Sequence, residues 1–250
     1  MIKPLLSKIR PASGISHVLY LVLKALLPLL VFVLVRLSFV QLALVVIVLA
    51  KWRMFAMRPR FWPAVFRANA VDLIVGVSTV LFMTHTSSVA LQFGWALLYS
   101  VWLVYLKPKT SNLFVALQAA VGQLAGLSAL YLSWANGPLY GLVFLTGLIC
   151  FFAAHHYFDS FDEPYARLLS YLWGYFGAAL AWLLGHWLLF YRELSQPTLL
   201  LTALGYGMAV LYYLDYHDKL NSPLKRQFIF MMVAVVIIVL ALSDWGDKTV

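Results

Sequence analysis

Residues Leu168–Phe190 read LLSYLWGYFGAALAWLLGHWLLF, 23 consecutive positions without a lysine, an arginine or a carboxylate. A helix rising 1.5 Å per residue needs about 20 apolar residues to cross a hydrocarbon layer about 30 Å thick. Just before this run stands His155–Arg167, HHYFDSFDEPYAR, which holds two of the six histidines and three of the nine acidic residues of the chain. One long apolar segment flanked by a short polar one is the unit from which the rest of the sequence is built.

The composition agrees. Hydrophobic residues make up 64% of the 250 positions and charged ones 11%, whereas soluble domains run at about 45–50% apolar. A spanning β-barrel would show alternating segments of about ten residues, and none occur. The expected fold class is therefore all-α, a polytopic transmembrane helical bundle forming a single integral membrane domain over residues 1–250. Nine spans are expected. They are Val18–Val35, Leu37–Ala50 (with a possible extension to Phe55), Ala70–Met83, Val89–Leu106, Leu113–Ser133, Leu139–Ala154, Leu168–Phe190, Thr198–Leu214 and Phe228–Leu242. The first two can also be read as a tilted hairpin around Arg36.

Basic residues orient the bundle, because Lys and Arg are retained on the cytoplasmic side. With the N-terminus inside, the inner side carries Lys3, Lys8, Arg10, Lys51, Arg53, Arg58, Arg60, Arg67, Lys107, Lys109, Arg167, Lys219, Lys225 and Arg226. Arg36, Arg192 and Lys248 fall outside and Lys24 falls within a span, which accounts for all 18. Fourteen against three predicts a cytoplasmic N-terminus and an outer C-terminus. The basic N-terminal residues 1–15 precede an apolar run with no small-residue cleavage site, and are read as part of an uncleaved anchor. The expected location is a cell membrane, read as the cytoplasmic membrane of a prokaryote. The net charge of +9 then reflects topology, and no nucleic-acid partner is expected.

The longest inner connection, residues 51–69, mixes Lys51, Arg53, Arg58, Arg60 and Arg67 with Trp52, Phe55, Phe61, Trp62 and Phe66. It is read as an interfacial segment gripping anionic lipid headgroups. Pro59 and Pro63 argue against one continuous amphipathic helix there. Asp72 is expected to favour the start of the third span and to meet a nearby arginine; Lys24 is expected to snorkel to the cytoplasmic surface. Gly122 and Gly126 form a GxxxG motif, and Gly177, Ala181 and Gly185 a small-residue stripe; each allows close helix approach, either inside one bundle or at the seam of a homo-oligomer or membrane complex. Gln118 and Gln123 are expected to hydrogen-bond across that contact. The single cysteine, Cys150, leaves no disulfide framework.

Two polar clusters fall on the expected inner side. In the first, His155, Asp159 and Glu163 recur at intervals of four and share one helix face. The second is Asp215, His217, Asp218 and Lys219. Imidazole and carboxylates in this pattern suit a divalent ion such as Mg²⁺, with His155, Asp159, Glu163, Asp215 and Asp218 as candidate ligands. The alternative is a solvated turn, with Pro164 at the first position of the seventh helix and Asp162 and Glu163 stabilising its N-terminus.

Tyr157-Phe158-Asp159, Glu163 and Arg167 resemble the first aspartate motif of the UbiA-type prenyltransferases, and Asp215, Asp218 and Lys219 resemble the second. Those are nine-span proteins whose two motifs face the cytoplasm and bind Mg²⁺-diphosphate. Here His155-His156 replaces the Asn-Asp opening. The first motif follows six spans instead of two, and two spans separate the motifs instead of four. No family assignment follows. Asp162–Arg167, Trp182 to His186 and His217 to Asn221 are similar to the motifs of the CAAX-protease family, but Glu163 and His186 lie about 34 Å apart on one nearly continuous helix. Two functional readings stay open: a permease-like, channel-like or structural membrane subunit, or a metal-dependent membrane enzyme acting on a lipid or isoprenoid diphosphate at the cytoplasmic face.

Overall fold

The computed structural model describes residues 15–51, 57–186, 190–191 and 194–243. These form nine α-helices: α1 Ile15–Arg36, α2 Val40–Leu49, α3 Trp62–Thr84, α4 Val89–Val101, α5 Asn112–Trp134, α6 Leu139–Asp159, α7 Ala166–Gly185, α8 Gln196–Tyr216 and α9 Ser222–Ala241. A 3₁₀ turn, Pro59–Phe61, leads into α3, and a π-helical segment, Trp102–Leu106, continues α4. The extended residues pair as two-residue strands, β1 Phe190–Tyr191 and β2 Leu194–Ser195, with Phe190 opposite Ser195. Among the described residues, seven helices are long and apolar enough to cross a membrane, and α2 is a shorter apolar helix. An all-helical bundle of this kind is compatible with a multi-pass membrane protein.

The helix surfaces fit that setting. In α9 only Val239 is buried, while Phe230 is 73% and Ile237 60% exposed. Water would penalise such a face, and lipid tails would not. The polar side chains go the other way: Asp72, Gln118, Gln123 and Thr146 are buried. Gln123 donates to the Leu201 carbonyl at 2.8 Å and accepts from Trp173 Nε1 at 2.9 Å, joining α5 to α7 and α8.

Helix ends follow their sequences. Pro63 sits in the first turn of α3, where its missing N–H costs nothing, so the helix begins at Trp62 and not at Ala70 as the apolar run suggests. Asn221 Oδ1 accepts from Leu224 N at 2.9 Å ahead of Pro223, which starts α9 at Ser222 and not at Phe228. The apolar run through Phe190 outlasts its helix: α7 stops at Gly185, and Phe190 is already extended.

Three helices stop on a non-glycine residue in the left-handed region: Ser38 (φ 64°) after α1, Asp162 (φ 52°) after α6 and Asp218 (φ 54°) after α8. The bonding is the same each time. Phe39 N reaches Leu34 O, Glu163 N reaches Phe158 O and Lys219 N reaches Leu214 O, six-to-one bonds that close the last turn. Ser38 N, Asp162 N and Asp218 N bond three residues back, to Val35, Asp159 and Asp215 carbonyls. This pair is the Schellman motif, and aspartate tolerates its left-handed position better than most residues. The two D-x-x-D strings, Asp159–Asp162 and Asp215–Asp218, are thus helix stops of one design.

The small-residue faces are filled inside the chain. A Cβ on Gly122 would meet Val71 Cγ1 at 2.6 Å, and one on Gly126 would meet Ile74 Cγ2 at 2.6 Å. Gly177 faces Cys150, Gly185 faces Leu139, and Ala181 is buried. These glycines serve the α3–α5 and α6–α7 contacts within one bundle. At the α6–α7 seam backbone meets backbone: a Cβ on Gly174 would stand 3.0 Å from the Gly147 carbonyl oxygen.

Two substitutions check these assignments by thermal unfolding in detergent. Gly174→Val should destabilise by about 2–3 kcal/mol, because it must displace backbone. Asp218→Gly should leave stability unchanged or raise it by up to about 1 kcal/mol, whereas Asp218→Val should lower it by about 1–2 kcal/mol. Equal losses from both Asp218 substitutions would refute the cap.

Candidate functional site: a buried lysine–aspartate cluster

Within residues 1–158 there are twelve lysines and arginines and a single carboxylate, Asp72. It lies well inside α3 and is 6% exposed. Helix rise shows why its neighbours are what they are. The turns at 37–39 and 85–88 close two adjacent hairpins whose helices share one apolar core, with Val35, Ala43, Met83 and Ala96 among its members. Counted at 1.5 Å per residue from those turns, Lys24, Lys51, Asp72 and Trp102 each fall about 16–20 Å along their segments. Four stretches of chain therefore deliver polar side chains to one level of the bundle.

The contacts are specific. Lys51 Nζ and Lys107 Nζ both donate to Asp72 Oδ2, and Trp102 Nε1 donates to Oδ1 at 2.8 Å. Lys24 Nζ donates to the Leu103 carbonyl at 3.3 Å. That carbonyl is available for a reason written in the sequence. In the π register Lys107 N bonds Trp102 O at 2.8 Å, and the next donor, for Leu103 O, would be residue 108. Residue 108 is proline and has no N–H. A lysine from α1 fills the position instead. One turn above Trp102, Tyr99 is 1% exposed, and among the described residues its hydroxyl has no hydrogen-bond partner. A Cβ on Gly76 would lie 2.8 Å from that hydroxyl, so the glycine one turn past Asp72 leaves it room.

Lys51 and Lys107 side chains are 11% and 29% exposed. Two lysine Nζ groups share one carboxylate oxygen in surroundings of low polarity, where burial and the nearness of each other and of Lys24 disfavour their charged forms while the carboxylate favours them. Removing the carboxylate would take from Lys51 and Lys107 the acceptor they share, a change of about 3–5 kcal/mol in comparable pairs.

The sequence-derived lipid contacts divide. Arg58 and Arg60 are exposed and Arg67 partly so, with Arg67 Nε on the Pro63 carbonyl at 3.3 Å. Arg53 lies outside the described residues. Lys51 is a correction: it turns inward to Asp72 and does not face headgroups. Lys24 does not snorkel to the surface, and Asp72 meets lysines and a tryptophan in place of an arginine.

The candidate metal ligands are held apart by structural duties. Glu163 Oε2 accepts the Tyr212 hydroxyl and Oε1 accepts Tyr165 N at 3.4 Å, tying the α6–α7 turn to α8. Asp218 supplies the left-handed stop of α8. Asp159 and Asp215 are exposed, and the His155 ring stacks on Phe151 at 5.8 Å. Among the described residues, no three of His, Cys, Asp and Glu come together at a point where a metal would sit. Nor do Asp162 and Glu163 enter the first turn of α7, since Pro164 and Tyr165 precede its start at Ala166. His156, not a candidate ligand in the sequence, donates from Nε2 to Gln118 Oε1 at 2.9 Å, and Gln118 Nε2 donates to Leu106 O and Lys109 O. That chain braces the segment after the π turn that carries Lys107.

The sequence signal for the cluster was a lone acid among twelve bases, with lysines at apolar helix ends. Comparison with protein-family models, characterised proteins and solved structures finds no match.

Asp72→Asn should lower the unfolding free energy by about 3–5 kcal/mol, measured by thermal or denaturant unfolding in detergent. Adding Lys51→Met to that variant should recover part of the loss, because the uncompensated cation is removed. A double variant less stable than the sum of the single effects would contradict the pairing.

Proposed function

We propose that this chain is a permease-like integral membrane protein that threads the bilayer nine times, N-terminus in the cytoplasm and C-terminus outside. The observation that carries the reading is the buried Lys51–Asp72–Lys107 cluster inside a bundle of long apolar helices. Ionisable groups at such depth are rare, are expensive, and mark solute pathways more often than they serve packing. Two further features support it. Helix α2 ends at Leu49, and the chain just after it places Lys51 on Asp72. The α4 helix changes to π register at the same level. Interrupted helices lining a polar centre are the usual architecture of membrane transport sites. With Lys51 and Lys107 set aside as members of the cluster, twelve inner against three outer basic residues support the orientation.

Reporters that distinguish cytoplasm from exterior, fused after Thr110, Gly137 and Val250 of the chain, test the threading. The expected readout is cytoplasmic for Thr110 and external for Gly137 and Val250. A cytoplasmic Val250 reporter would overturn the nine-crossing topology, and release of the protein from membranes by alkaline carbonate would overturn integral insertion.

A further inference from the structure

We propose that Lys51 and Lys107 hold one exchangeable proton between them over Asp72, which makes the cluster a proton-binding site with Lys107 as its outer member and Lys51 as its inner one. The inference deepens the permease-like reading by naming the proton as the ion that its polar centre takes up and releases, and it rests on that reading for the setting in a membrane.

A lysine ammonium has three donors and no acceptor, whereas the neutral amine keeps a lone pair. Both Nζ groups sit on the same oxygen, Asp72 Oδ2, so they are neighbours, and the Lys107 amine lies within hydrogen-bonding reach of the Lys51 amine. Two ammoniums so placed only repel each other. One ammonium and one neutral amine can instead form an N–H···N bond while both still donate to the carboxylate. That state sets one positive charge against one negative on the shared oxygen, which surroundings of low polarity favour over two cations on a single acid. Groups coupled this closely titrate as a unit, so the proton belongs to the pair more than to either residue.

The surroundings act in the same direction. Burial is the first cause that disfavours a charge on Lys51, followed by the nearness of Lys107 and then of Lys24. Among the described residues, the charged groups facing Lys51 are Lys24 from α1, Asp72 from α3 and Lys107 after α4. Helix α2, VQLALVVIVL, brings no ionisable side chain. Trp102 Nε1 holds Asp72 Oδ1 at 2.8 Å, which leaves Oδ2 to the lysines. Behind α3, Gln118 of α5 and His156 of α6 are bound to each other and, through the glutamine, to the carbonyls of Leu106 and Lys109. Depth supplies a direction of transfer. The Lys107 side chain is 29% exposed against 11% for Lys51, so a proton arriving from the exposed 108–111 turn meets Lys107 first. Passing it inward breaks one N–H bond on Lys107 and forms one on Lys51, while Asp72 stays a carboxylate throughout.

The test is a titration of the full chain in phosphatidylcholine nanodiscs, with lysines isotope-labelled at Nζ and followed by NMR. One lysine signal should lose its proton at least about two pH units below the exposed lysines such as Lys225, a hold about a hundredfold weaker. Sharing is read from the variants. Lys107→Gln should raise the proton affinity of the remaining Lys51 at least tenfold, and Lys51→Gln should do the same for Lys107, because each leaves one amine alone with the acid. Lys107→Arg keeps a permanent cation beside Lys51 and should hold the titration low. Lys109→Gln, at an exposed cation outside the cluster, should change nothing. All lysines titrating in the ordinary range would overturn the site, as would a low-titrating signal left unmoved by either glutamine variant. Should those variants fail to fold, Lys24→Gln decides, since loss of the third cation should raise the affinity at least about threefold and an unmoved titration would overturn the site. None of these outcomes depends on the topology reporters, so the two readings fail independently.

Discussion

One carboxylate fixes how the first four helices sit against each other. Asp72 accepts from Lys51 after α2, from Lys107 after α4 and from Trp102 within the π segment. Apolar helix faces alone permit sliding by a turn, because leucine against leucine looks much the same one turn on. A buried ion pair does not, since a shift of about 5.4 Å would leave the charges unmatched. With no other acid in residues 1–158, no second register can satisfy these lysines. The cluster's structural value is thus specificity of packing more than net stability.

The backbone around the cluster obeys the same accounting. Pro108 cannot donate, the π register moves Lys107 N to Trp102 O, and Lys24 takes up the Leu103 carbonyl left over. On the other side of this segment Gln118 binds the carbonyls of Leu106 and Lys109 while His156 holds the glutamine. Irregular backbone is tolerated at membrane depth only where neighbouring side chains satisfy it. Here three helices outside the hairpin's own pair of strands of chain, α1, α5 and α6, contribute those side chains. The elements that pack α3 closely against α5, Gly122 on Val71 and Gly126 on Ile74, lie next to Asp72 and set its distance from the α5 backbone.

Legibility in the sequence tracks how local each cause is. The helices, their approximate limits and their number follow from apolar runs about 20 residues long, and each of the nine runs has its helix. Starts were misjudged where the signal was a cap or a proline and not hydropathy, as at Pro63 and Asn221. Polar glutamines inside an apolar run announce cross-helix bonds, because such groups need partners wherever they point, but the bonds run to Leu106, Lys109, His156, Trp173 and Leu201 and not across the Gly122–Gly126 contact with α3. The partners of Asp72 could not be read, since Lys24, Lys51, Trp102 and Lys107 come from segments up to 83 positions apart in the chain and meet only through helix lengths and the π register. The aspartate-rich strings misled for the opposite reason. Asp162 and Asp218 look like ligands by composition, but their positive φ values show backbone work.

The two polar regions differ most in how fully their charges are accounted for. At the α6–α7 turn and the end of α8, Glu163 is matched by Tyr212, Asp162 and Asp218 close helix ends, and Asp159 and Asp215 stand in the open, where a charge is cheaply solvated. Nothing there demands a further partner. Around Asp72 the groups are buried or half-buried, three lysines converge on the segment of one aspartate, and among the described residues the Tyr99 hydroxyl has no hydrogen-bond partner. A fold under selection for packing alone would be better served by apolar residues at these positions, because replacing a buried ion cluster with well-fitted hydrophobic side chains is commonly neutral or stabilising. An arrangement that keeps three lysines and one aspartate at that depth gives up stability that apolar side chains would supply, and holds the first helices in one register in return.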